Sequence, residues 1–155
     1  MPPPDISAQR ELVVRVAACQ AVVDAHHNQP FVWGQRDCFR SILAPVLKAL
    51  GHKAALAPFG RYANALGARR ALKRNGFDSV EHYLDQRPFL RIAPAAALPA
   101  DLLGLKGEEG DWLGIAVQLT NGRAFGFMAG ADGEPRGHVI QPLEVVAAWR
   151  IPCLS

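Results

Sequence analysis

The chain has 155 residues, half of them hydrophobic and a fifth charged, with a net charge of +3. That composition excludes a disordered chain and supplies apolar surface for one core. Mild basicity does not by itself imply a nucleic-acid partner, and no uncharged apolar run approaches the length of a membrane-spanning helix.

Residues 1–7, opening on Met1-Pro2-Pro3-Pro4, are expected to form a flexible arm ahead of a single domain over 8–155. No basic stretch followed by an apolar run is visible there, so no signal peptide is expected. Helical spacing begins at about Ile6 and runs to His26, with Leu12, Val13, Val16, Cys19, Val22 and Val23 as the apolar stripe and Asp5 or Ser7 as caps. A loop over His27 to Asp37 carries Asn28, Pro30 and Gly34. A second helix is expected from Cys38 to about Leu50, kinked at Pro45 and ended by Gly51. A third runs from about Tyr62 to Asn75. Its Arg69, Arg70, Lys73 and Arg74 read as a solvated basic face, and no aromatic stacking motif argues for nucleic acid. A fourth spans about Ser79 to Gln86, with Asp78 and Glu81 as a capping box.

Residues 93–110 read mostly as loop, with one short apolar piece at Leu102-Leu103. From Asp111 the pattern turns strand-like. Trp112 to Leu119 is followed by the hairpin signal Asn121-Gly122, then Arg123 to Ala129, a turn at Asp132-Gly133, and strands over His138 to Gln141 and Val145 to Ile151. Helices first and an antiparallel sheet after them make an α+β domain.

Three cysteines are present, Cys19, Cys38 and Cys153, with no CxxC pair, so neither a disulfide framework nor a metal site is expected, and no cofactor is implied. Cys19 lies on the first helix's apolar stripe and reads as core. Cys38 opens a helix, where unpaired amide N–H groups and the positive end of the dipole favour thiolate, so its pKa is expected to fall. Local physics leaves two readings open: a plain buried cysteine, or a nucleophile. Asp37 reads as the helix cap, although its charge would oppose thiolate formation. Trp33 reads as a core or groove-lining aromatic, and Gly34 as a place where backbone can approach a ligand. Tyr62 could approach the same cleft. Among the histidines, His26, His27 and His52 read as partners of helix C-termini and His82 as exposed.

The box Pro30-Phe31-Val32-Trp33-Gly34 followed by Asp37-Cys38 resembles the start of NlpC-type cell-wall hydrolases, a branch of the papain-like superfamily. The chain from about residue 8 to 152 resembles more closely a family of phage and prophage tail-assembly proteins. There a leading helix and a "PFxWGxxDC" box precede Gly76-Phe77, Gly110-Asp111 and Ala148-Trp149-Arg150. The resemblance implies a papain-like fold of N-terminal helices on an antiparallel sheet, with Cys38 at the nucleophile position and Asp111 entering the first sheet strand. In active relatives the base histidine opens the next strand. The matching stretch begins with Ala124, and alanine can neither take a proton from the thiol nor protonate a leaving amine. His138 is the candidate substitute base. Two readings follow. One is a tail-tip or tail-assembly structural protein, catalytically degenerate, assembled in the bacterial cytoplasm into the virion tail with hub or tape-measure partners. The other is an active cysteine peptidase or amidase that cuts peptidoglycan stem peptides during cell entry.

Overall fold

Helix α1, Ile6–His26, begins where Asp5 turns extended and its carboxylate accepts the N–H groups of Ser7 and Ala8 at 3.0 and 3.2 Å. The arm expected over residues 1–7 therefore ends before Ile6. This computed structural model describes residues 1–53, 60–107 and 113–154. The buried face of α1 is Arg15, Ala18, Cys19 and Val22, whereas Leu12, Val13 and Val16 point outward. Of the expected stripe, Cys19 and Val22 are buried and Val23 partly so, whereas Leu12, Val13 and Val16 are not. Apolar side chains occur on the exposed side of the helix as well as the buried one, and a charged one, Arg15, is buried, so spacing alone could not choose the face that the sheet covers.

The second helix divides in two. Cys38–Leu43 is a π-helical segment and Ala44–Ala49 is helix α2. Ala44 donates to the Phe39 carbonyl, five residues back. Pro45 is the reason: it has no N–H to give and its ring crowds the carbonyl four residues earlier, so the chain widens one turn before it. Helix α3, Ala65–Arg74, is capped by Asn64 and stops before Gly76, whose φ is +88°. Helix α4, Val80–Asp85, is capped by Ser79, which accepts from His82 N–H at 3.0 Å. The cap is therefore Ser79 and not Asp78. His82, half-buried rather than exposed, accepts from the Asp78 N–H through Nδ1.

Six strands follow: β1 Leu90–Ile92, β2 Leu102–Lys106, β3 Leu113–Gln118, β4 Ala124–Ala129, β5 Pro135–Ile140 and β6 Val145–Arg150. They form one antiparallel sheet in the order β1-β6-β2-β3-β4-β5. The architecture is α+β, N-terminal helices against a C-terminal antiparallel sheet. Asn121 and Gly122 take φ of +59° and +70°, as the hairpin signal requires. Strand β2 lies between β6 and β3 although its stretch reads as loop. Burial on both faces erases the alternation, and Gly104 imitates a breaker. A Cβ at Gly104 would come within 2.8 Å of Leu113 and 3.1 Å of Trp149, so the glycine serves packing.

The sheet has two differently covered faces. Leu102, Leu113, Ile115, Val117, Phe125 and Trp149 join the helices in the main core. Leu103, Ala116, Ala124 and Ala148 form a second buried cluster on the far face. A buried ion pair clamps α1 to the sheet: Arg15 and Asp101 are 1% and 0% exposed, with Arg15 Nη1 3.1 Å from Asp101 Oδ1. Asp101 also accepts from Arg150 Nε at 2.6 Å and from the N–H groups of Leu98 and Ile151 at 2.8 and 3.1 Å. No helix among the described residues is long and apolar enough to cross a membrane.

Candidate functional site

The loop after α1 runs beside β5. Asn28 N–H donates to the Gly137 carbonyl at 2.7 Å, Gly137 N–H to that of Gln29 at 3.0 Å, and Phe31 N–H to that of Pro135 at 2.9 Å. This pairing holds Phe31 edge-on to Trp33 and to Phe127, with ring centroids 4.8 and 5.3 Å apart. The chain then turns sharply between Val32 and Arg36. Gly34 sits in that turn at φ +76°, and a Cβ there would collide with the Tyr62 carbonyl oxygen. The close approach that Gly34 permits is thus to the chain's own backbone.

Asp37 is fully buried and organises this corner. Its carboxylate accepts from Gly34 N–H at 2.9 Å, from Arg40 N–H at 2.9 Å and from the Tyr62 hydroxyl at 2.6 Å. The capping role is present, and Tyr62 does reach the site. The Tyr62 ring lies 6.4 Å from that of Trp33, and burial followed by the Asp37 hydrogen bond pushes its phenol pKa up. The approach of Tyr62 to the cleft is as expected, although α3 begins at Ala65 and not at Tyr62. Asp37 and Tyr62 lie 25 residues apart with two helical segments between them, so no local pattern joins them.

Cys38 begins the π-helical segment and is 7% exposed. Its thiol is pushed up to about 12, by burial first and by the Asp37 carboxylate second. Backbone hydrogen bonding at Ile115, Cys38 and Phe39 works in the opposite direction and is outweighed. The expected fall in pKa does not occur, because a helix N-terminus stabilises an anion only to the extent that burial does not penalise it more. Cys19 is likewise pushed up to about 11 by burial, and its thiol donates to the Gln118 carbonyl at 3.2 Å.

Strands β3 and β4 pair only at Val117–Phe125 and Gln118–Ala124. Beyond that point they separate, and a cavity of about 400 Å³ opens between them. Gly114 and Ile115 line one side, Gly126 and Phe127 the other, with Phe31, Trp33 and Cys38 closing it and Lys106 on the rim. The walls are mostly apolar, and no imidazole lines it among the described residues.

His138 lies on the wrong face for a base. It pairs across from Gly126, and Ile140, two residues on, pairs with Ala124. Side chains at 124, 126, 138 and 140 therefore share the far face, away from the helices. The His138 ring packs edge-on to His27, with centroids 6.5 Å apart. Ala124, 0% exposed in the far-face cluster, does not face Cys38 either. The β4 side chains directed toward the helices are Phe125 and Phe127, so shifting the register by one residue still supplies no base. Asp111, with Gly110 and Trp112, lies outside the described residues.

Two other expectations change. Burial and then Arg36 lower the pKa of His26, which works against the cationic role expected for it at the end of α1. His52 hydrogen-bonds through Nε2 to the Pro152 carbonyl, tying the end of α2 to the C-terminal residues. Sequence reasoning also missed the Arg15–Asp101 pair. The available signal was a lone carboxylate inside the apolar stretch 93–105 and a lone guanidinium among apolar neighbours in α1.

No curated protein and no solved structure matches the chain. A family model described as "Domain of unknown function (DUF6950)" matches residues 14–151, from within α1 to the residue after β6, and the chain therefore belongs to that family.

Proposed function

We propose that this protein is a structural component of a phage or prophage tail, a papain-like domain of NlpC type that retains the thiol position without its catalysis. The observation that carries the loss of catalysis is Cys38 itself: a buried thiol held protonated, in a cavity that no imidazole lines among the described residues. A cysteine hydrolase needs thiolate and a proton-transfer partner within reach. The tail assignment rests on the resemblance carried by Phe31 to Cys38, Gly76-Phe77 and Ala148-Trp149-Arg150. It agrees with a chain that sets helices before an antiparallel sheet and opens a helical segment on a cysteine packed beside β3. The exposed apolar side of α1, at Leu12, Val13 and Val16, offers area for hub or tape-measure neighbours. The site of action is then the virion tail, assembled in the bacterial cytoplasm.

The test deletes the gene from the phage or prophage that encodes it and complements with wild type or Cys38→Ala. Tailed particles should be lost on deletion and restored equally by both. Purified protein should release no fragments from peptidoglycan. Normal tails after deletion would overturn the structural assignment. Peptidoglycan cleavage that Cys38→Ala abolishes would establish the peptidase reading in its place.

A further inference from the structure

Helix α3 carries Arg69, Arg70, Lys73 and Arg74 and no acid, so ten residues hold more positive charge than the +3 of the whole chain. All four side chains are exposed, and none makes an ion pair among the described residues. Like charges four apart, as at Arg69–Lys73 and Arg70–Arg74, oppose the helix they sit on. A solvated face would accommodate them, but the surface beside them is not flat.

A groove of about 440 Å³ runs between α3 and the start of α4. Arg69, Arg70 and Lys73 form one wall and Asp78 stands on the other rim. Leu66, Leu72, Val80 and Leu113 line the remainder. Leu66 is 56% exposed although it belongs to that apolar lining. Leu66, Arg70 and Lys73 fall four and then three residues apart, so they form one stripe along about two helical turns.

The lining discriminates between anions. A phosphate backbone would use the cations and leave the apolar floor uncovered. A protein segment bearing carboxylates around one large apolar side chain uses both cations and floor. We propose that this groove docks an acidic, amphipathic segment of a partner protein, its carboxylates on Arg69, Arg70 and Lys73 and its apolar side chain over Leu66. The proposal does not depend on what the Cys38 cavity does.

The test is fluorescence anisotropy of the full chain with three labelled probes: a helical peptide carrying two Glu per turn around a single Leu, the same peptide with Ser for Leu, and a single-stranded DNA oligonucleotide. The Leu peptide should bind best, and more weakly as salt rises. Arg69→Gln/Arg70→Gln/Lys73→Gln should weaken it by about tenfold. Leu66→Ser should weaken it several-fold and remove the advantage of Leu over Ser in the probe. All four substituted side chains are exposed, and circular dichroism verifies that the fold is kept. Absence of binding, tighter binding of the oligonucleotide, or an unchanged affinity in Leu66→Ser would each overturn the proposal. So would binding of the peptide by Glu108→Gln/Glu109→Gln and not by the wild type, since the chain's own acidic stretch would then be the occupant.

Discussion

Cys38 should be the slowest of the three thiols to alkylate in the folded protein. Raising its pKa from the ordinary 9.0 to about 12 cuts the thiolate fraction about a thousandfold at any pH below 9. Cys19, raised to about 11, loses about a hundredfold. Burial adds to both, because reagent reaches a thiol that is 6–7% exposed only when the structure opens locally. Cys153 is half-buried near the C-terminus and should react first. The assay is iodoacetamide labelling at pH 8 with quenching over time, proteolysis, and mass spectrometry of each cysteine. In urea the three rates should converge. Cys38 labelling as fast as Cys153 in the folded state, with a midpoint below pH 8.5, would refute both the burial argument and the proposal of lost catalysis built on it.

The same burial gives a pH dependence. A thiol that folding holds protonated contributes stability that is fully present below the unfolded value of 9.0 and is lost as pH rises toward about 12. Unfolding free energy should therefore fall from pH 9 upward, and Cys38→Ala should flatten that slope; equal slopes in urea titrations would contradict the cause assigned. Asp101→Ala should cost about 3–5 kcal/mol, because it removes the buried carboxylate that pairs both Arg15 and Arg150 and accepts two backbone N–H groups, leaving Arg15 with Glu11 and the Pro99 and Ile151 carbonyls. Arg15→Met should cost less, since Asp101 keeps Arg150 and two backbone donors. The opposite order in urea midpoints would overturn this account of the clamp. Gly34→Ala should destabilise by at least about 2 kcal/mol, combining a left-handed backbone with the collision at Tyr62. An unchanged melting temperature would mean that the turn can relax.

The parts of the fold legible in the sequence were those governed by local chemistry. The Asp5 cap, the Asn121-Gly122 turn and the start at Cys38 follow from side chains acting within a few residues of themselves. What escaped depended on neighbours distant in the chain. β2 reads as loop because both its faces are covered, and the buried face of α1 is set by Asp101, which lies 86 residues from Arg15. The same limit applies at the site. Asp37 as a cap is a local fact. Its bond to Tyr62 across 25 residues is not, nor is the burial that reverses the pKa expected for Cys38.

Residue 124 gives the sharpest test of how the site should be read. If the missing base is simply an alanine in place of histidine, Ala124→His should restore a partner for Cys38. The sheet register argues otherwise. Position 124 faces Leu103, Ala116 and Ala148, is 0% exposed, and lies on the side of β4 opposite Cys38. An imidazole there would overpack a cluster of small side chains, at about 1–3 kcal/mol. It would also bury a polar ring without a partner, at a further ~1–3 kcal/mol. Ala124→His should therefore lower the urea midpoint and leave Cys38 alkylation, measured below that midpoint, as slow as in wild type. Phe127→His is the informative contrast, because Phe127 lines the Cys38 cavity and is only partly buried. It should cost less stability and speed Cys38 labelling near neutral pH. Faster labelling in Ala124→His without loss of stability would show that β4 presents the other face to the thiol. The cavity would then be one substitution from a working pair rather than a different surface.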